Sequence, residues 1–394
     1  MDRLIKLSEL KIKNLKNDFK RYLYDQINWN SKLIIITGAR GSGKTTLLLQ
    51  KMKSKNQQAV YLSLDDFYFE SNRLLLLIDQ LYGNGVRNFF LDEVHQYEHW
   101  SSDLKNIYDS YGDIQVVATG SSVLKINKGQ ADLSRRAELY MLKGLSFREF
   151  LELHQSIKIE TFSLEKIIKQ HQEISIAIND VVDVLKYFKY YLSYGYYPFS
   201  MENKQTYHMK LQQITQLIID VDIPAVESIN YPTIRSMKKL LYIISQLVPY
   251  IPNIQSLSEK VGTSRNSILK ALDLMDHAQI LNLLKISNLG VSQLQKPEKI
   301  YLENPNLAFA LSGSNPNLGN LRETFFMNQL SVKHLITAPK FGDFLVDHQY
   351  LFEIGGANKT NKQIAGIPSS YIAADEIKNG ENNKIPLWLF GFLY

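Results

Sequence analysis

Between residues 33 and 145 the apolar positions fall in short unbroken runs: LIIIT at 33–37, AVYLSL at 59–64, NFFLD at 88–92, IQVVAT at 114–119 and LYMLKGL at 139–145. They are rich in Ile, Val and Phe and do not alternate with polar residues, which is the pattern of strands buried on both faces of a parallel sheet. Five such runs separated by helical stretches predict a three-layer α/β domain ending near residue 150. Upstream, Leu4, Ile5, Leu7, Leu10, Ile12, Leu15, Phe19, Leu23 and Ile27 recur at intervals of three and four. That spacing predicts one amphipathic helix over 2–27, whose basic opposite face reads as a solvated surface in preference to a nucleic-acid arm. Residues 151–235 read as helical and Tyr-rich, with a break at YGYYP (194–198), where Gly195 and Pro198 cannot continue a helix. Residues 236–300 give helix, helix, turn, helix and a β-hairpin. The remainder returns to mixed α/β and closes on an apolar strand, IPLWLFGFL.

The chain has 394 residues, enough for two or three domains with buried cores. It contains no cysteine, which excludes disulfide scaffolds, thiolate zinc sites, iron–sulfur clusters and cysteine nucleophiles. No apolar stretch reaches the ~18–20 residues of a membrane span, and Lys, Glu and Asn interrupt the first residues before a signal-peptide core could form. A cytoplasmic protein without membrane association is expected.

The strongest chemical signal is LIIITGARGSGKTTLLLQ, which sets GxxxxGKT between a buried strand and a helical run. Gly38, Ala39, Arg40, Gly41, Ser42, Gly43, Lys44, Thr45 and Thr46 form a phosphate-binding loop. Its glycines let successive N–H groups face a β-phosphate at the positive end of the new helix, Lys44 reaches the β- and γ-oxygens, and Thr45 ligates Mg²⁺. Hydrolysis needs carboxylates on a neighbouring strand. NFFLDEVHQ supplies Asp92 for the metal and Glu93 to polarise water. The next strand ends in VVATGSS, where Thr119 or, preferably, Ser121 is expected beside the γ-phosphate. Arg135 and Arg136 precede the fifth strand, and one of them is a candidate to neutralise charge on the γ-phosphate, from this subunit or a neighbour.

In order and spacing, GARGSGKTTLL, FFLDEVHQYEHW, ATGSS, LSRRAELYMLKGLSFREFL and YGYYP resemble a widespread bacterial and archaeal family of AAA-type ATPases. In that family a P-loop core and helical lid precede a winged helix and a C-terminal domain of unknown function. The resemblance implies ATP as the nucleotide and favours Arg136 over Arg135, which stands where the family usually has glycine.

Residues 237–285 read as helix-turn-helix without reference to any family. Leu240, Ile243, Ile244 and Leu247 mark one helix, Leu257 to Val261 a second, and Gly262 the turn. Thr263 caps a third helix with Ile268, Leu269, Leu272 and Met275 inward. Nine basic against four acidic residues between 235 and 300 place +5 of the chain's +6 there. Ser264, Arg265, Asn266 and Lys270 are accordingly candidates for DNA contact.

In the tail, Glu323 lies on a helix, Asp343 opens a hairpin strand and Glu353 follows on the next. Restriction-endonuclease-like folds gather Mg²⁺ with carboxylates placed this way, and the family's C-terminal domain resembles that fold. Two residues beyond Glu353 such nucleases carry a lysine, whereas this chain has Gly355. Lys359 or Lys362 could reach in from the following turn, and Asp347 does not repair the loss. The expectation is a fold that has outlived its chemistry.

The expected plan is therefore an N-terminal amphipathic helix (1–29), a P-loop ATPase core with an AAA-like parallel sheet (30–150), a helical lid (151–235), a winged helix-turn-helix (236–300) and an inactive α/β restriction-endonuclease-like domain (301–394). The favoured function is a Mg²⁺-dependent ATP-hydrolysing switch or motor acting on DNA. An ATP-gated nuclease and a signalling or scaffold ATPase with a protein partner are the alternatives, and oligomerisation is open.

Overall fold

A computed structural model of the chain describes all residues except 16–18, 56–57, 122–132, 134, 226, 228, 248, 287–295 and 314–315. It divides into two units, Met1–Gly144 and Leu145–Tyr394.

In the first unit the apolar runs become β1 (Leu33–Thr37), β2 (Ala59–Ser63), β3 (Asn88–Asp92), β4 (Gln115–Gly120) and β5 (Glu138–Met141). They form one parallel sheet in the order β2-β3-β4-β1-β5. Successive side chains serve opposite faces. Leu33, Ile35, Leu62, Phe89 and Leu91 pack with the helices Leu74–Gly83 and Trp100–Ser110 on one side. Ile34, Ile36, Tyr61, Phe90 and Val117 pack with the helix Lys44–Lys53 on the other. β5 departs from the expectation, lying at the sheet edge with Leu139 and Met141 exposed, whereas β1 to β4 are enclosed on both faces and have no solvent side to carry polar residues, hence their unbroken runs. This is the three-layer α/β arrangement of P-loop enzymes.

The single helix expected over 2–27 is not formed. A helix runs only over Asp2–Lys13, and Tyr22–Asp25 is a separate turn of 3₁₀ helix, with residues 16–18 outside the described set. The first piece lies against edge strand β2, where Ser8 Oγ accepts a hydrogen bond from the Tyr61 N–H at 2.9 Å and so satisfies a donor that no strand pairs. Leu23, Tyr24 and Ile27 enter the core beside the helix Lys44–Lys53. Two short pieces reaching the same core reproduce helical spacing, and the first ends at its C-cap, Asn14.

In the second unit the helices Phe147–Gln155, Leu164–Asn179, Val184–Tyr194 and Tyr207–Leu217 are followed by Tyr231–Leu247, Ile254–Val261 and Arg265–His277. An antiparallel pair, β6 (Leu281–Leu284) with β7 (Lys299–Leu302), comes next. The helices Pro305–Ser312 and Leu318–Leu330 then precede a mixed sheet of β8 (Ile336–Thr337), β9 (Phe344–Val346), β10 (Tyr350–Gly355), β11 (Ser370–Ala374) and β12 (Lys384–Pro386).

Residues 145–235 share a core with the C-terminal segment. Phe147 and Tyr191 meet Phe392 and Phe325, and the buried Tyr196 hydroxyl donates to Glu303 at 2.9 Å. These aromatics are therefore packing and not a free docking surface. IPLWLFGFL also departs from expectation, giving two strand residues, Ile385 and Pro386, and then a 3₁₀ helix over Leu387–Phe392. An apolar run needs only burial, and this helix is buried throughout. Among the described residues no helix is long and apolar enough to cross a membrane.

Candidate functional site: the phosphate loop and its acidic strand

The loop leaves the C-terminal end of β1 and enters the helix Lys44–Lys53 through Gly43, whose φ of 96° is open to glycine and strained for other residues. At Gly38 a β-carbon would stand 2.2 Å from the Leu142 carbonyl oxygen, so only glycine lets the loop pass the chain that leaves β5. Lys44 is 4% exposed, and its ammonium donates to the carbonyls of Gly38 and Ala39 at 2.9 Å each. Ser42 Oγ is buried, with no hydrogen-bond partner among the described residues. A buried hydroxyl left without a partner is costly, and a bound phosphate oxygen would supply one.

Asp92 ends β3 and collects four donors. Thr45 Oγ1 and Tyr61 Oη reach Oδ2 at 2.7 and 2.9 Å, while Thr119 Oγ1 and the Glu93 N–H (3.1 Å) reach Oδ1. Burial and the Asp92 charge drive the Tyr61 phenol well above its ordinary value, so it remains a donor. Thr45 and Asp92 thus stand together as a Mg²⁺ site requires. Among the described residues no three His, Asp or Glu form a cage for a metal. Mg²⁺ in nucleotide enzymes is held by one or two protein oxygens and the substrate phosphates, so this pair fits it.

Glu93 turns out of the strand in a left-handed conformation, φ 50°. Ser121 Oγ donates to its Oε2 at 2.9 Å, and His95 Nδ1 lies 3.3 Å from the same oxygen. His95 Nε2 is 3.2 Å from Ser121 Oγ. Burial raises the Glu93 pKa, with Asp92 adding to it against the pull of Lys44. The two small polar residues at the end of β4 therefore have different partners: Thr119 serves Asp92, and Ser121 serves Glu93. Tyr61 and His95 were not anticipated. DEVHQ offered a signal for His95, because a tight turn after Glu93 returns the residue two places on. Nothing local marks Tyr61, whose partner is on the adjacent strand.

Arg136 in this subunit does not reach the loop. Glu138 pairs with Ile34, so Arg136 lies before the start of β5, six residues and about 20 Å of strand from Leu142 beside the loop. Its guanidinium grips Asp109 with two hydrogen bonds, of 2.8 and 2.9 Å. Arg135 is exposed.

In the second unit the N-cap of helix Arg265–His277 is Ser264, whose side chain accepts the Ser267 N–H at 3.1 Å, in place of the expected Thr263. Ser264, Arg265 and Asn266 are exposed, and so is Leu247. Three of the nine basic residues counted there have partners outside the segment: Lys238 with Asp220, Lys270 with Glu227, and Lys299 with both Glu323 and Asp343.

That last contact belongs to the C-terminal carboxylates. Pairing of Phe344 with Phe352 sets Asp343 beside Glu353. Lys299 Nζ lies 3.1 Å from Glu323 and 2.9 Å from Asp343, Tyr301 donates to Glu323 at 2.7 Å, and Lys359 pairs with Glu353. Asp347 is in the hairpin turn, bonded to His334.

Residues 30–151 match the model of an AAA domain, and residues 185–318 match a domain of unknown function (DUF8612). An uncharacterized protein of Methanocaldococcus jannaschii is 28% identical over 287 residues, covering 68% of this chain and 59% of its own length. The chain thus spans less than two thirds of that relative. Among solved structures, a Walker-type ATPase of Pyrococcus abyssi covers 75% of this chain and 96% of its own, at 11% identity and a TM-score of 0.43. The RuvB Holliday junction branch migration motor of Thermotoga maritima covers 72% and 89%, at 13% identity and a TM-score of 0.27. With its loop and acidic strand end, the segment 30–151 is similar to AAA domains and carries a P-loop on a parallel sheet.

Proposed function

We propose that this domain binds ATP with Mg²⁺ and hydrolyses it, and that the chain uses the cycle as a switch or motor on DNA. The observation that carries the first part is the placement of Thr45, Asp92, Glu93 and Ser121 around one end of β3. Mg²⁺, when bound, neutralises charge on the β- and γ-phosphate oxygens. The chain's own residues do the rest. The N–H groups of 39–45 cradle the phosphates, and Lys44 exchanges the carbonyls of Gly38 and Ala39 for phosphate oxygens. Glu93 orients a water and accepts its proton, with Ser121 fixing the carboxylate. The DNA reading is supported by the exposed first turn at Ser264, Arg265 and Asn266.

An ATPase assay with and without duplex or single-stranded DNA tests both parts. Lys44→Ala should abolish nucleotide binding or turnover, and Glu93→Gln should retain binding and lose turnover. Wild-type rates in either variant refute the site. A rate indifferent to DNA, with no binding at low salt, refutes the DNA reading and leaves a protein partner.

A further inference from the structure

Arg21 is 4% exposed and heads the 3₁₀ turn Tyr22–Asp25. Its guanidinium spans two places in the first unit. One nitrogen donates to the Ser42 carbonyl inside the phosphate loop, and the other donates to the carbonyls of Lys143 and Gly144 at 2.7 and 2.8 Å. The same knot is tied elsewhere: Gln50 holds the Phe19 carbonyl at 2.7 Å, and the Leu142 N–H donates to the Thr37 carbonyl at 2.8 Å.

A trans peptide is planar, with its C=O and N–H pointing in opposite directions. Holding the Ser42 carbonyl on the Arg21 side therefore turns the Gly43 N–H the other way, toward the phosphate. We infer that Arg21 is a positioning residue for ATP: it sets the Ser42–Gly43 peptide so that the Gly43 N–H faces the phosphate, and it braces that peptide against the chain leaving β5. The inference rests on the ATP-binding reading above. A lysine cannot fork between the two sets of carbonyls, because its ammonium is a single point on a flexible stem.

The test is titration of full-length wild type, Arg21→Met and Arg21→Lys with a fluorescent ATP analogue and Mg²⁺, together with steady-state turnover and melting temperatures. Arg21→Met should weaken nucleotide binding and raise KM by tenfold or more while saturated kcat stays within about twofold of wild type, with Arg21→Lys intermediate. Amide exchange should quicken at Gly43 and at Lys143–Gly144. A lowered melting temperature with unchanged KM, or unchanged affinity in a folded variant, overturns the inference. Should Arg21→Met not fold, Arg21→Lys decides alone: wild-type affinity there overturns it. Failure of the wild-type protein to bind the analogue sinks the ATP reading instead, so the two failures are distinguishable.

Discussion

Lys359 lies across Gly355: a β-carbon at Gly355 would fall 2.6 Å from Lys359 Cβ and Cγ, and beyond that contact the lysine ammonium pairs with Glu353. Glycine thus leaves room for a lysine four residues on to reach the buried carboxylate. Lys299 does the same for Glu323 and Asp343, which outweigh the effect of burial and hold its pKa above the ordinary lysine value. Two internal cations among three carboxylates leave little charge for a metal. The expected outcome is no Mg²⁺-dependent cleavage of DNA, and cleavage that disappears with Asp343→Ala would reverse this. Gly355→Ala should lower stability by roughly 1–3 kcal/mol, read as a lower urea midpoint, because the lysine stem must shift.

Arg136→Ala should leave ATP affinity and turnover of dilute protein within twofold of wild type, since Asp109 holds that guanidinium far from the loop. Turnover measured against protein concentration gives the check. A large loss in dilute protein would contradict the placement of Arg136, and a loss confined to high concentration would assign it to a neighbouring copy.

Burial lowers the pKa of His154 to about 4 from its ordinary 6.5. The unfolded chain therefore takes up a proton below about pH 6.5 that the folded chain refuses until about pH 4. Stability is lost as pH falls through that window. Midpoints of urea unfolding between pH 7 and 4 should decline, and His154→Gln should flatten the slope. An equal slope in the variant would remove His154 as its cause.

Arg265→Ala should weaken DNA binding more than Lys270→Ala, because Lys270 is engaged 3.0 Å from Glu227 whereas Arg265 stands exposed on the first turn. The slope of log affinity against log salt should fall by about one for Arg265→Ala and change less for Lys270→Ala. The reverse order would point to another face of this segment.

The local signals were those whose physics is local. Four of the unbroken apolar runs form strands enclosed on both sides, while the fifth is a half-exposed edge strand, and GxxxxGKT after the first run required a phosphate loop at a helix start. Asp92 and Glu93 followed from their place at a strand end. Periodicity could not distinguish one helix over 2–27 from two pieces sharing a core, and burial alone could not distinguish a strand from the 3₁₀ helix Leu387–Phe392.

Only tertiary structure decided which charges are engaged and which residues share a site. Lys238, Lys270 and Lys299 count as basic surface in sequence, yet each meets an acid far along the chain. Arg136 reads as close to the phosphate because its strand is, but a parallel register sets it at the opposite end. Tyr61, His95 and Arg21 join the loop through strand order and turns. Spacing along a chain encodes the repeat of a helix or strand. A contact between distant residues is encoded only by the packing that brings their elements together.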